Sequence, residues 1–120
     1  MKPHEIISHV AAQIGMHPGD ANKLVDQKIG EGMKHAQHGD TIMFYKLIDH
    51  DSCFVHFVTA DAPLNLVSNI AYFVHMLQSN GINTIYMNTR SKRINIALSS
   101  AGVHLEPSDN PSYPMMGKLM

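Results

Sequence analysis

Charge is scarce in this sequence. Asp, Glu, Lys and Arg make up 16 % of its 120 residues, against roughly 25 % in typical soluble domains. The scarcity is concentrated: residues 62–89 hold none of the four in twenty-eight positions, where about seven would be expected. Cysteine is nearly absent too. The single Cys53 excludes an intramolecular disulfide and gives no support for an oxidising compartment. No run approaches the eighteen or so apolar residues of a membrane helix, so no membrane partner is expected. The first residues, MKPHEIISHVAAQIG, are broken by Pro3, His4, Glu5 and His9 and do not read as a signal peptide. A net charge of −1 offers no electrostatic case for nucleic acid. No low-complexity tract interrupts the chain. With 44 % hydrophobic residues, it is long enough for one stable core.

The apolar residues are arranged periodically. Ile6, Ile7, Val10, Ala11 and Ile14 share one face of a first helix that Gly15 can stop. Asp20 can cap a second, with the stripe Ala21, Leu24, Val25, Lys28 and Ile29. That helix weakens at Gly30 and Gly32, and the helical part ends at Gly39-Asp40. Residues 41–48 and 53–59 are rich in β-formers, and 49–52 read as the hairpin loop between them. Pro63 suits the first turn of a third helix, 64–79, closed by Asn80-Gly81. A strand follows at 82–87, then a fourth helix from Ser91 to about 100, closed by Ala101-Gly102, and a last short strand at 103–105.

The expected fold is therefore α/β (α+β), in the order α-α-β-β-α-β-α-β, with a mixed sheet and helices on its faces. The strand–helix–strand unit across 53–87 implies two parallel neighbours with a right-handed crossover. Residues 1–106 form the expected domain. Residues 107–120 hold three prolines and no periodicity, and read as an extended Pro/Met-rich tail that depends on a partner.

The third helix carries two adjoining stripes: Leu66, Ile70, Phe73 and Leu77, then Leu64, Val67, Ala71 and Val74. A helix on a two-layer domain needs only one. Its other positions are polar but uncharged, the composition of protein-contact surfaces. Asn65, Asn69, Tyr72 and His75 from this helix, with Tyr113, Met115 and Met116 from the tail, are the expected contacts to other protein chains, copies of this one included.

Other constellations carry less. His35 and His38, with Asp40 nearby, and His50 between Asp49 and Asp51 match no closed zinc site, so no metal is expected. Cys53 and His56, three apart on a strand, point to opposite faces and cannot work as a nucleophile–base pair. Arg90, Lys92 and Arg93 cluster at a helix start, where solvation accounts for them.

The second half, CFVHFVTAD–helix–INTIYMNTR–helix–AGVHLEP, resembles the C-terminal half of the GNAT superfamily of N-acetyltransferases. FVTAD, and a strand running into N-T-R-S before a short helix, look like the small GNAT-like proteins of short-tailed phages. The resemblance implies an acetyl-CoA-dependent transferase fold, but the residues depart from the enzymes. Where the family has an R/Q-x-x-G-x-G/A turn for the pyrophosphate, this chain has Ala60-Asp61-Ala62-Pro63-Leu64-Asn65. That turn has no glycine, it has a proline without an amide to donate, and its carboxylate stands where phosphates would sit. Leu98 occupies the position of the family's general-acid tyrosine, four residues before Gly102, and cannot transfer a proton. Only two strands are expected before the long helix, where the family has three or four. The resemblance thus implies a non-catalytic relative without a cofactor, used for assembly in a phage particle and located in the virion or host cytoplasm. A working acetyltransferase, or a phage regulator that binds a host protein, are the alternatives.

Overall fold

The computed structural model describes residues 1–13, 15–30, 32–88 and 91–119, without the side chains of Pro18, Lys28, Ile29 and Gly30. Ile14, Thr89, Arg90 and Met120, used in the sequence reading, lie outside the described residues. The elements are α1 (Pro3–Gln13), α2 (Pro18–Gly30), β1 (Lys34–His38), β2 (Thr41–Leu47), β3 (Ser52–Thr59), α3 (Pro63–Ser79), β4 (Thr84–Met87), α4 (Lys92–Ser100), β5 (Leu105–Pro107) and β6 (Met115–Lys118). All six strands join one mixed sheet in the order β1-β2-β3-β4-β6-β5. β3 and β4 are parallel neighbours joined by α3, as the strand–helix–strand pattern requires, and every other pairing is antiparallel.

The strand period sorts side chains onto two faces. Cys53, Val55 and Phe57 of β3, with Met43, Ile85 and Met87, meet Leu66, Ile70, Phe73 and Leu77 of α3 and Ile94, Ala97 and Leu98 of α4. This is the larger core. On the other face Ile42 and Phe44 meet Ile6, Ile7 and Ala11 of α1 and Ala21 of α2. The helix ends follow their cap residues. Ser91 accepts a hydrogen bond from the Ile94 amide, and α4 closes with the Val103 amide on the Leu98 carbonyl at 2.8 Å. α3 closes in the same way, Ile82 to Leu77 at 3.0 Å.

Two strands depart from the sequence reading. Residues 34–38, read as the far end of the second helix, form β1, a hairpin partner of β2. Gly39, with φ 59°, and Asp40 make the two-residue connection between them, and such hairpins place glycine at the position that needs a positive φ. The helix therefore stops at the Gly30–Gly32 weak point. With β1 in place, three strands precede α3 instead of two, so the expected truncation does not hold. The second departure is the tail. Met115–Lys118 is no loose extension but a strand inside the sheet, between β4 and β5. Gly117 permits this close fit: a Cβ there would lie 2.7 Å from Val103 Cγ1 and 3.1 Å from Leu105 Cδ2. The last strand also begins later than expected, at Leu105 instead of Val103.

Candidate functional site

Two places are candidates for a site, one where β3 leads into α3 and one on the opposite face of the sheet. The first is the turn itself. Asp61 is 9 % exposed, and its Oδ2 accepts three hydrogen bonds: from the Asp40 amide at 3.0 Å, the Thr41 hydroxyl at 2.7 Å and the Asn69 side-chain amide at 2.6 Å. Thr41 has one proton and spends it on the carboxylate. The Thr59 hydroxyl must therefore donate to Thr41, across 2.8 Å, and it accepts in turn from the Asp61 amide at 3.0 Å. The ring of bonds closes on itself. Asn69 extends it outward, its Oδ1 accepting from His38 Nδ1 at 2.9 Å, while the His38 ring stacks on Tyr72 with centroids 3.9 Å apart. A guanidinium nitrogen of Arg93 donates to the Asp61 carbonyl. Gly39 is needed for this closure, because a Cβ on it would lie 2.6 Å from Asn69 Nδ2.

The consequence concerns the anion site that the resemblance implies here. The α3 N-terminus begins with Ala62 as a cap lacking any side-chain bond, then Pro63, which has no amide hydrogen. A buried carboxylate whose Oδ2 is held by three donors of its own chain stands beside it. A pyrophosphate would lack the amide that Pro63 does not have and would face a like charge. These residues do not fit that group. Leu98 is fully buried in the larger core and presents nothing to the surface.

The second place is a cleft of about 500 Å³ on the opposite face of the sheet. β3 and β4 stay in register only from Ser52/Thr84 to Phe54/Tyr86. Phe44, Phe54, His56 and Val58 form the floor, Leu24, Val25 and Met33 one wall, Asn88 and Tyr113 the other, and Lys46 completes the lining. Tyr113 is held by stacking on Phe54, centroids 5.0 Å apart, and lies 5.7 Å from Tyr86, whose hydroxyl donates to Asp109. His56 keeps an exposed surface, yet the surrounding residues desolvate the ring and lower its pKa below 6.5. The solvent contact limits that shift. The cleft thus holds a neutral imidazole at neutral pH, in apolar surroundings. Nothing in the sequence reading assembled it. Its one visible signal was Leu24, assigned to the buried stripe of α2 but 51 % exposed at the cleft wall.

The expected contact residues divide. Asn65, Tyr72 and His75 are exposed on α3, Tyr113 and Met115 are half-buried, and Asn69 and Met116 are buried. Asn69 belongs to the Asp61 network, and Met116 belongs to β6 opposite Tyr86, so neither offers a surface to another chain. The second stripe of α3 is open in part: Leu64 is 86 % exposed and Ala71 exposed, while Val74 is buried. Cys53 is fully buried and on the face opposite His56, with its thiol pKa pushed up to about 11 by burial.

The histidines do not gather. His35 and His38 are three apart on β1 and therefore face opposite sides of the sheet, which removes the pairing suggested by helical spacing. Asp49, His50 and Asp51 come within 4.8 Å of one another at the hairpin tip. Their carboxylates serve the turn itself: Asp49 accepts from the Ser52 hydroxyl at 2.7 Å and the Asp51 amide at 3.1 Å, and Asp51 from Asn83 at 3.2 Å. Of the three cations at the start of α4, Arg93 is occupied at Asp61, Lys92 is exposed and Arg90 lies outside the described residues. Compared with protein-family models, curated proteins and solved structures, the chain matches none.

Proposed function

We propose that this chain is a non-catalytic, GNAT-like structural or assembly protein that acts by binding other protein chains, as a component of a phage particle. The observation that carries the reading is the closed turn at Asp61. Three donors hold its carboxylate, Pro63 removes an amide from the helix start, and Leu98 is buried where the resemblance asks for an acid. Turning this carboxylate away to admit acetyl-CoA would break the three bonds at its Oδ2, and buried networks are costly to leave half-made. The outer face of α3 supports the protein-binding half of the reading. It carries Leu64, Asn65, Ser68, Tyr72 and His75 in the open and no charge, so covering it strands no unpaired ion.

Calorimetric titration with millimolar acetyl-CoA is expected to give no binding heat. A dissociation constant in the micromolar range, about −8 kcal/mol, would overturn the reading. Co-sedimentation with purified virions is the expected behaviour of an assembly component. Its absence, with capture of a host protein instead, would favour the regulatory alternative. The acetyltransferase alternative draws on one observation, the cleft with the neutral His56 beside the parting strands. The same titration decides it.

A further inference from the structure

The two edges of the sheet are built differently. β5 is three residues long, carries the exposed Glu106 at its centre and ends on Pro107. Short length, charge and proline are the means by which edge strands avoid pairing with other chains. β1 has fewer of them. It is five residues long, pairs with β2 in unbroken register from Lys34/Tyr45 to His38/Thr41, and contains no proline or bulge. Its only permanently charged side chain is Lys34, at one end. On its other side no described segment adds a strand; the N-terminus reaches β1 only through the Gln37 side-chain amide, which donates to the Met1 carbonyl at 2.6 Å, so the outward backbone N–H and C=O groups of the strand are left for a partner.

The edge also runs on into a second surface. Lys34, Ala36 and His38 lie on the sheet face that α3 covers, opposite Tyr45, Met43 and Thr41. His38 stacks directly on Tyr72. From the open strand one passes without a break onto the uncharged outer face of α3, with Ser68, Tyr72 and His75 exposed.

Building on the protein-binding reading, we propose that the partner at this edge is a second copy of the chain. Its β1 adds antiparallel to β1 across a two-fold axis at Ala36. The sequence of the strand, Lys-His-Ala-Gln-His, is suited to that register. Lys34 falls opposite His38 of the second copy, His35 opposite Gln37, and Ala36 opposite Ala36, so the one permanent cation never meets itself. An isologous contact of this kind closes after two copies. Because the axis is perpendicular to the sheet, both copies keep α3 on the same side, and the Tyr72 faces of the two helices turn toward each other. A five-residue edge alone is small beside the ~800 Å² per partner that stable interfaces bury. The helix faces supply the rest.

Light scattering on the full chain at micromolar concentrations is expected to give twice the 13.3 kDa chain mass. Ala36→Cys places two thiols directly opposite at the axis, and oxidation is expected to give a covalent dimer. The buried Cys53 makes wild type the blank. Tyr72→Glu lies on an exposed face and gives up the stacking on His38, so an unchanged circular-dichroism spectrum is the control that the domain still folds. The substitution is expected to weaken self-association more than about tenfold, since it buries a carboxylate without a partner. A monomeric wild type overturns the proposal. So does a dimer in which Ala36→Cys fails to cross-link and Tyr72→Glu has no effect, since it must use another surface. A monomer that still co-sediments with virions overturns the dimer alone and leaves the protein-binding reading standing.

Discussion

Asp61 reads one way along the sequence and does another thing in the folded chain. In sequence it stands as a carboxylate where a phosphate turn would want glycine. In the folded chain it fastens three elements together: the β1–β2 hairpin through the Asp40 amide, the start of β2 through Thr41, and α3 through Asn69. Removing it orphans three donors at once. A buried donor left without a partner costs about 1–3 kcal/mol, so Asp61→Ala is expected to lose about 3 kcal/mol or more in urea unfolding. Asp61→Asn, which keeps an accepting oxygen but adds donors the site cannot use, should fall between Ala and wild type. If Asp61→Ala unfolds at the wild-type midpoint, the network contributes nothing to stability.

At the scale of elements, β6 is the piece that everything near it assumes. It hydrogen-bonds to β4 on one side and β5 on the other, and Gly117 lets Val103 and Leu105 approach its backbone. Gly117→Val puts branched carbons into that contact, and overpacking of this kind costs about 1–3 kcal/mol. A lowered urea midpoint with an unchanged m-value is the expected result. A neutral substitution would mean the strand can shift without loss. The helices, β2, β3 and β4 were legible because their apolar spacing follows a single period. β1 and β6 were not. β1 alternates only weakly, with four of its five residues exposed, so no periodic signal distinguishes it from a fraying helix. β6 follows directly on Pro114 and is interrupted by glycine, which argue against a strand unless its neighbours are known. Of the site, the carboxylate and proline at the start of α3 and the exposure of Asn65, Tyr72 and His75 on its outer face were legible in sequence. The hydrogen-bond ring was not, because it joins residues 20 positions apart through a hairpin that had not been identified. The cleft depends on how far β3 and β4 run together, and no single residue encodes that.

Across the whole molecule, two titratable groups set the response of the fold to acid. His56, in the partly covered cleft, has its pKa lowered by desolvation. Asp49, at the hairpin tip, is held down to about 2, chiefly by the Ser52 hydroxyl and then by Asp51. Both folded-state values lie below those of the unfolded chain, so both contributions are complete above the unfolded pKa and are lost as pH falls through the folded one. Acidification from neutral should therefore weaken the fold in two stages, first below about 6.5 and then from below 3.8 down to about 2. Urea midpoints across this range check it. His56→Gln is expected to flatten the first stage and Ser52→Ala the second, whereas a midpoint that rises on acidification from neutral would contradict both assignments.

The strand order β4-β6-β5 has a consequence in time. β5 precedes β6 along the chain, yet its only partner in the sheet is β6. A nascent chain that has emerged only as far as residue 114 therefore has β5 with nothing to pair with and β4 with one side bare. Helix-linked pairing of β3 with β4 can proceed, but the sheet must wait for four more residues, Met115–Lys118, before either open edge is satisfied. During that interval the chain presents unpaired strand edges of the kind that recruit other chains into aggregates. Ribosome pausing just upstream of β6 would prolong the exposure, while pausing just after it would not.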